Sequence, residues 1–495
     1  MKTKNLLNIL IGCIVVSALS VSCAKEVIDK QYVKLDLAAC SFYSSGNEPI
    51  EISIVSNPAD WKAESDASWL TVDRNDDGSM LILTATDNDS EYERSAAVTV
   101  TAGEAIQKVT VYQLGFNADF YRYRKLRTFQ MGAVVSPSGK YVGGFDVSIA
   151  EDESFIFHPT IIETFTGKEY RNIEIPQSLY DLYQPMAISD DGLLFINDGT
   201  NGIVVAFDRD GNYFPVEADG YLTHPMIQGT SADGRIWVGY AQKSSDKSSR
   251  GKLETPLVWI DGEIHELQFP EKNYRDENFF VGIMARGISA DGSIIYGTTW
   301  DNMDFGMVYW DDIDAPAKYV GEDVRKVTPV KMVDANGAEY DSHIVNGMQC
   351  TANLLKVSPS GKWIAGKYSK EELSEDRKNI VMVSENAAFF NTETGETTII
   401  EDYSDVGSTG LRATDDGIGF VGIGTFGVAS CVVYDLNTKA PMGTFQEWIS
   451  DNYGIDVPAT GTVTFINEDK TVIFGNYPEG TEFNKCYYIA PPIAG

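Results

Sequence analysis

The sequence has few basic residues, few cysteines and only four histidines. Its 39 Lys and Arg stand against 72 Asp and Glu, which gives a formal net charge of −33 at pH 7. Nucleic acid binds to basic surfaces, so this balance excludes it as a partner. The cysteines are widely and irregularly spaced, and no disulfide framework follows from them. We expect four of them to be small buried side chains rather than two bridges: Cys40, Cys350, Cys431 and Cys486.

Long apolar runs are absent after the first 22 residues. Lys2 and Lys4 precede an apolar stretch from Leu6 to Leu19. That stretch is about 14 residues long, shorter than the roughly 20 that cross a bilayer as a helix. A basic start, a short apolar stretch and small residues before a cleavage point are typical of a secretory signal peptide. We therefore predict a signal peptide over residues 1–22.

The residues before Cys23 resemble a bacterial lipobox. Ser20 to Ser22 are small, although the leucine that such boxes usually place three residues before the cysteine lies one position further out, at Leu19. The resemblance implies an outer-membrane lipoprotein that is acylated at Cys23, on the cell surface or the periplasmic face, with residues 23–31 as a tether. More than one acyl chain gives stable membrane attachment. The alternative is an ordinary signal peptide followed by a chance cysteine.

Residues 32–115 alternate apolar and polar side chains in short runs, such as Ile52 and Ile54, or Val98 and Val100. Clusters of turn-forming residues separate these runs, for example Asn75 to Gly78. Short half-buried strands at this spacing are typical of a sandwich of two sheets. We predict an immunoglobulin-like β-sandwich over residues 32–115.

The same segment resembles the BACON domain. That family is a module of lipid-anchored and secreted proteins, often attached to partners that degrade or bind glycans, and a role in binding carbohydrate or mucin has been proposed for it. The proposal identifies no binding residues, so none are transferred to this chain. We expect the two tryptophans to pack between the sheets. The resemblance lies in Trp61, Trp69-Leu70-Thr71-Val72, Asn88, Arg94 and Val109 to Gly115.

Residues 116–495 contain one four-residue unit seven times, about every 55 residues. Each unit begins with a turn-forming residue, and six of the seven end in Gly, which is the pattern of a type I turn closed by a left-handed residue. The exception, Lys470, costs about 1–2 kcal/mol if it adopts that conformation. The units are Ser136–Gly139, Ser189–Gly192, Ser231–Gly234, Ser289–Gly292, Ser358–Gly361, Thr414–Gly417 and Asn467–Lys470.

A strand follows each unit, and usually a second hairpin, so that one repeat holds four strands, as a propeller blade does. We therefore predict an all-β protein in which the sandwich precedes a seven-bladed β-propeller over residues 116–495; a β-helix or two stacked sandwiches are the alternatives. Gly287 to Gly297 resembles the HAF-type extracellular repeat. The last repeat lacks a fourth strand, and we predict that Phe120 to Phe129 supplies it as the outer strand, because an open edge would otherwise remain.

Several segments imitate known sites but lack a required part. Gly422 to Gly427 fits G-x-G-x-x-G, but a strand follows where a dinucleotide site needs a helix. Asp73 to Gly78 begins like a calcium loop, yet Thr84 occupies the position of the required Glu. Asp208 to Asn212 is most simply a turn, with calcium as the alternative. No cofactor, metal site or catalytic residue is predicted, since the histidines are isolated in the sequence: His158, His224, His265 and His343.

The leading hypothesis is a non-catalytic protein of the cell envelope that recognises glycan or glycoprotein through one face of the propeller. A scaffold that docks other envelope proteins is the second hypothesis. The third is an enzyme that acts on polysaccharide, because propellers also carry dispersed catalytic residues.

Aromatic residues recur just after the predicted second strand of six repeats, where connections open at one end of a propeller. Aromatic rings stack on sugars and anchor recognition surfaces, and polar neighbours could bond hydroxyl groups. The alternative is that these rings pack between neighbouring blades. The candidate ligand-binding residues are Phe145, Tyr240, Trp300 with Asp301 and Asn302, Tyr368, Phe426 and Tyr477.

Replacing the lipobox cysteine tests the predicted anchor. We expect Cys23→Ala to abolish incorporation of labelled fatty acid and partitioning with membranes, because the thiol is the acylated group. Radiolabelling and membrane fractionation measure both, and unchanged acyl labelling would show that the anchor is elsewhere.

Overall fold

The computed structural model is almost entirely β-structure, with 39 strands and one helix in the residues that it describes. Among these residues, no helix is long and apolar enough to cross a membrane. The predicted signal peptide and Cys23 lie outside them. The described residues are 31–35, 37, 39–90, 94–115, 123–125, 131–149, 155–164, 169–171, 175–177, 183–198, 203–248, 250–299, 306–349, 356–424, 430–454, 456–457, 462–468, 470, 472–479 and 482–489.

The N-terminal part consists of two four-stranded sheets, with strand orders β1-β3-β6-β5 and β2-β8-β7-β4. All pairs are antiparallel except β2 with β8, which is parallel. The strands are β1 (Tyr32–Leu35), β2 (Ala39–Phe42), β3 (Ile50–Asn57), β4 (Lys62–Ser65), β5 (Leu70–Arg74), β6 (Met80–Ala85), β7 (Arg94–Ala102) and β8 (Ala105–Gln113).

The two sheets bury one apolar core between them. Ile52 and Leu81 come from one sheet and Val98 and Val109 from the other, and each is inaccessible to solvent. Trp61 is buried in this core, so the prediction that the tryptophans pack between the sheets is confirmed for Trp61. Trp69 is only partly buried and packs against the core. The segment that imitates a calcium loop is the hairpin between β5 and β6, in which the N–H of Gly78 donates to the carbonyl of Asn75.

Seven further sheets follow, here called S1 to S7. The first four are S1, with β10 (Met131–Val135), β11 (Tyr141–Ile149), β12 (Phe155–Glu163), β13 (Glu169–Arg171) and β14 (Ile175–Gln177); S2, with β15 (Tyr183–Ile188), β16 (Leu194–Asp198), β17 (Ile203–Phe207) and β18 (Tyr213–Val216); S3, with β19 (Met226–Thr230), β20 (Ile236–Ser244), β21 (Lys252–Ile260) and β22 (Glu263–Glu266); and S4, with β23 (Ile283–Ile288), β24 (Ile295–Thr299), β25 (Met307–Trp310) and β26 (Lys318–Tyr319).

Two of the seven sheets differ from the predicted four-stranded repeat. S1 has five strands, and S5 has six, because an extra hairpin precedes its turn. The remaining sheets are S5, with β27 (Lys326–Val333), β28 (Glu339–Gln349), β29 (Lys356–Val357), β30 (Trp363–Leu373), β31 (Ile380–Asn391) and β32 (Glu396–Ile400); S6, with β33 (Ser408–Ala413), β34 (Ile418–Ile423), β35 (Ser430–Asp435) and β36 (Ala440–Thr444); and S7, with β37 (Thr462–Ile466), β38 (Ile473–Glu479), β39 (Glu482–Ile489) and β9 (Tyr123–Lys125).

The seven predicted turns are present, one in each sheet. In every turn the N–H of the fourth residue donates to the carbonyl of the first, and the fourth residue has a positive φ, including Lys470 at 61°. The first side chain is buried and accepts from a backbone N–H at the start of the next strand, as Ser136 does from Tyr141 at 3.0 Å. The sequence prediction of these turns, and of a strained Lys470, is confirmed.

Consecutive turns are hydrogen-bonded to one another across sheets. The N–H of Ala232 in S3 donates to the carbonyl of Ala290 in S4 at 2.8 Å, and the N–H of Ala290 to the carbonyl of Pro359 in S5 at 2.8 Å. Where the second residue is proline and has no N–H, the following serine donates instead. The hydroxyls of Ser138 and Ser360 each lie 2.7 Å from a carboxylate oxygen, of Asp190 and Asp415 respectively, in the next turn.

Seven apolar clusters, one between each pair of neighbouring sheets, hold the described parts of S1 to S7 together. The last cluster joins S7 to S1, so the contacts run in a ring. Representative buried pairs, in order from S1–S2 to S7–S1, are Tyr141 and Leu194, Phe195 and Trp259, Val238 and Trp310, Tyr309 and Phe390, Phe389 and Tyr434, Phe420 and Val463, and Phe474 and Val142.

The last sheet takes its fourth strand from the segment before S1. β9 pairs antiparallel with β39, with Arg124 opposite Tyr488. The predicted closing strand is therefore confirmed for residues 123–125, while the rest of Phe120 to Phe129 lies outside the described residues. Backbone hydrogen bonds thus join the start and the end of this part of the chain.

One helix, α1 (Phe445–Tyr453), was not expected from the sequence. Thr444 and Glu447 form a capping box at its start, and Gly454 ends it in the left-handed conformation. Its buried residues, among them Phe445 and Trp448, pack between S6 and S7 together with Cys431. Cys431 is 1% exposed and is a small core side chain, as predicted. The helix fills the space that a longer strand connection would leave open.

Removing the closing strand tests the clasp. We expect a chain that begins at residue 131 to melt roughly 5 °C below one that begins at residue 116, because β39 then becomes an exposed edge. Differential scanning calorimetry measures the difference, and size-exclusion chromatography should show association through the open edge. Equal melting temperatures would mean that the ring does not depend on β9.

Two substitutions at Lys470 isolate the cost of its left-handed backbone. Both Lys470→Gly and Lys470→Ala remove the ion pair between its ammonium and Asp416, at 2.5 Å. We expect the glycine variant to be more stable than the alanine variant by about 1 kcal/mol, because only glycine takes a positive φ without strain. Urea denaturation compares the two, and an alanine variant that is equally stable would contradict the expectation.

Candidate binding site

The aromatic residues predicted to ring the mouth lie in different environments. The prediction that they follow the second strand is wrong at four positions, because the second strands are longer than expected: Phe145, Tyr240, Tyr368 and Tyr477 lie within β11, β20, β30 and β38. Trp300, Asp301, Asn302 and Phe426 are outside the described residues, and of Tyr477 only the backbone is described.

Two of these rings belong to the cores between sheets. Phe145 is 0% exposed in the cluster between S1 and S2, so its ring has no surface to offer a ligand. Tyr368 is half-buried and packs against the cluster between S4 and S5, and burial raises the pKa of its hydroxyl. For these residues the packing alternative describes the structure.

Tyr240 lies against a cation from the neighbouring sheet. The guanidinium carbon of Arg286, on the first strand of S4, is 5.5 Å from the centre of the Tyr240 ring. Burial raises the pKa of Tyr240 above its usual value, so the hydroxyl stays protonated at neutral pH. Nη1 of Arg286 lies 3.4 Å from Oε1 of Gln228 and its Nε 3.3 Å from Oγ1 of Thr298. One predicted aromatic residue thus belongs to a polar cluster between S3 and S4.

The strands that carry Arg286 and its counterparts lie next to one another in neighbouring sheets. We call the strand of each sheet that ends at the turn its inner strand. The inner strands of neighbouring sheets contact one another directly, as β15 does with β19 and β19 with β23. They approach so closely that a Cβ added at Gly229 would lie 2.9 Å from the Cα of Gly287. The inner strands are β10, β15, β19, β23, β29, β33 and β37.

These inner strands contain no Asp or Glu, although the chain has 72 of them. Their three charged side chains are all cationic and come from three consecutive sheets: Arg286 in S4, Lys356 in S5 and Arg412 in S6. Sequence reasoning missed these residues. The repeat contains a signal for two of them, Lys356 and Arg412, which are charged at a position where the other repeats carry an uncharged residue. The position two residues before each turn holds Val134, Ala187, Gly229, Gly287, Lys356, Arg412 and Phe465.

Arg412 is the most constrained of the three cations. Its Nε donates to the carbonyl of Thr464 in S7 at 2.6 Å. Burial lowers its pKa to about 10, and its charge also interacts with Tyr296 of S4, two sheets away in the ring. Within the described residues, no carboxylate forms an ion pair with Arg412. The guanidinium therefore lies against the inner strand of S7.

Thr409 adds a polar group on the same face of S6. Thr409 pairs with Gly422, and Arg412 with Phe420, which places both residues on the face turned toward S7. The hydroxyl of Thr409 is buried and has no hydrogen-bond partner in the part of the chain that the structure describes. A buried hydroxyl without a partner costs about 1–3 kcal/mol.

Other chemistry considered from the sequence is used in local structure. Asp208 accepts from the N–H groups of Asp210 and Asn212 in the turn between β17 and β18. His343 Nδ1 lies 2.9 Å from a carboxylate oxygen of Glu277. Gly422 and Ile423 belong to β34, and a strand, β35, follows the glycine-rich stretch. Among the described residues, no group of three His, Cys, Asp or Glu side chains is placed to hold a metal ion.

The residues of the N-terminal resemblance hold the sandwich together. The Arg94 guanidinium covers the Trp69 ring at 4.6 Å, and its Nε donates to Oε1 of Gln113 at 2.8 Å. Nε2 of Gln113 donates to the carbonyl of Thr86 at 2.8 Å, and Nδ2 of Asn88 to the carbonyl of Leu114 at 2.9 Å. The motif is therefore structural.

The family comparison agrees with this segment. Residues 59–114 match the BACON model, whose description is "Putative binding domain, N-terminal". The match covers a small part of the chain. No curated protein matches the chain.

Similar solved structures are distant. TolB from Acinetobacter baumannii is 13% identical with a TM-score of 0.31, over 62% of this chain and 60% of that one, less than two thirds of its length. The polysaccharide lyase Uly1 is 12% identical with a TM-score of 0.38, over 76% and 93%. Streptogramin B lyase is 10% identical with a TM-score of 0.31, over 74% and 97%. Likenesses at this level carry no argument about activity. This chain is an all-β protein whose N-terminal segment matches the BACON domain.

Proposed function

We propose that this protein is a non-catalytic, lipid-anchored binding protein of the outer membrane that recognises glycan or glycoprotein. In this proposal residues 32–115 form an immunoglobulin-like sandwich that serves as an accessory module or spacer. Residues 116–495 form a closed seven-bladed propeller of HAF-type repeats, and the ligand binds where its inner strands meet.

The observation that carries the proposal is the cluster of Tyr240, Arg286 and Gln228 between S3 and S4. An aromatic ring beside amide and guanidinium donors suits a sugar, since the ring stacks on its apolar face and the donors bond its hydroxyl groups. The match to a family described as a binding domain supports the same class of function.

One observation favours the alternative that the protein is a scaffold that docks other envelope proteins. Tyr213 and Phe214 on β18, the outer strand of S2, are 64% and 42% exposed. Phe214 stacks on Trp237 of S3 with ring centres 6.3 Å apart. Exposed aromatic residues on an outer strand suit contact with another protein. Isolation of the chain from the envelope with a stoichiometric protein partner, lost in Phe214→Ala, would favour this function.

A glycan array tests the proposed function. We expect the soluble chain from residue 32 onward to bind a defined set of glycans, and Tyr240→Ala and Trp300→Ala each to weaken that binding about tenfold or more, because stacking on the sugar is lost. Melting temperature is measured on the same samples and should change little for Trp300→Ala.

The matched control is Phe145→Ala. Because the Phe145 ring is fully buried, we expect this variant to lose about 3–5 kcal/mol of stability, and its folded fraction to retain glycan binding. If the chain binds no glycan on the array but releases oligosaccharide from a polysaccharide, the enzyme hypothesis replaces the proposal.

A further inference from the structure

We propose that the inner strands of S4, S5 and S6 form an anion-binding site, and that the glycan which this protein recognises is acidic, carrying carboxylate or sulfate groups. That the anionic ligand is a glycan rests on the proposed function, whereas the anion site itself rests on the observations below.

The first observation is the charge of the inner strands. Acidic residues outnumber basic ones 72 to 39 in the chain. The inner strands show the opposite balance, with three cations and no carboxylate. Most of the surface repels an anion at a distance. An arginine or lysine side chain between packed sheets still attracts an anion that reaches it, because its field is less screened there than in water.

The second observation is the energetic position of Arg412. Arg412 is partly withdrawn from water, and a guanidinium in such a place without a carboxylate is unfavourable for folding; the same loss of hydration lowers its pKa. Of its five N–H donors, the one on Nε is used by the carbonyl of Thr464. The planar group is suited to bidentate bonds with carboxylate, sulfate or phosphate. An anionic ligand would remove the cost by pairing with the charge.

The third observation is the second donor beside it. The buried Thr409 hydroxyl lacks a partner in the described residues and lies on the same face of S6 as Arg412. Hydroxyl and guanidinium donors on one face can bond two oxygens of one anionic group.

The experiment compares polymers that differ in charge alone. Polygalacturonate is titrated against its fully methyl-esterified form, and dextran sulfate against dextran, using the soluble chain from residue 32 onward and isothermal titration calorimetry. We expect binding of at least one acidic polymer, no binding of its neutral counterpart, and weakening with added salt. Binding of polygalacturonate assigns the site to carboxylates, and binding of dextran sulfate assigns it to sulfate esters.

The variants locate the site. We expect Arg412→Gln to lower affinity for the acidic polymer by about 10–100-fold, the range of a charged hydrogen bond, and Arg412→Lys to lower it less. The melting temperature of Arg412→Gln should equal or exceed that of the unchanged chain, because an unpaired buried charge is removed. The matched control is Arg235→Gln, since Arg235 is an exposed arginine in the S3 turn and pairs with Asp261; it should leave affinity unchanged.

Failure of the two proposals is distinguishable. Equal binding of acidic and neutral polymers would overturn the acidic ligand and leave glycan recognition standing. Suppose that no polymer binds, but that sodium sulfate or acetate raises the melting temperature of the unchanged chain and not that of Arg412→Gln. The anion site would then stand, and glycan recognition would be overturned. No response to any anion or acidic polymer would overturn the anion site.

Discussion

Hydrogen bonds between consecutive turns fix the position of the inner strands, and the rest of the ring depends on that contact. Ala232 and Ala290 donate backbone N–H groups to the next turn. Two turns carry proline at the donating position and cannot do so. Ser138 and Ser360 take over by donating to Asp190 and Asp415. These bonds run from S1 through S6, so the turns of those sheets are held side by side.

Glycine allows the closest approach between two inner strands. Gly229 and Gly287 lie where β19 and β23 nearly touch, and a Cβ at Gly287 would clash with the Tyr296 ring. The glycine therefore lets the tip of Tyr296 pass beside β23. The charged side chains at the same position of the repeat, Lys356 and Arg412, come from S5 and S6.

Much of the fold was predictable from local patterns. A turn former followed three residues later by Gly specifies a left-handed closure, and even Lys470 adopts it. The closing strand was predictable because an unpaired edge is unfavourable, and Trp61 because large rings are buried between sheets. By contrast, α1 was missed because nine residues with a capping box resemble a loop in a β-rich sequence. The extra hairpin β27–β28 and the length of β30 were missed because polar ribbon strands carry little hydrophobic periodicity.

The sequence by itself determined the all-β class, the seven turns and the acidic composition, because each of these depends on residues that are close in the chain or on composition. Only the tertiary structure decided which side chains meet between neighbouring sheets. It placed the Phe145 ring in a core, set Tyr240 against Arg286 and set Arg412 against the carbonyl of Thr464. The two contacting pairs are 46 and 52 positions apart in the chain, and no local pattern encodes which residues meet when sheets pack side by side.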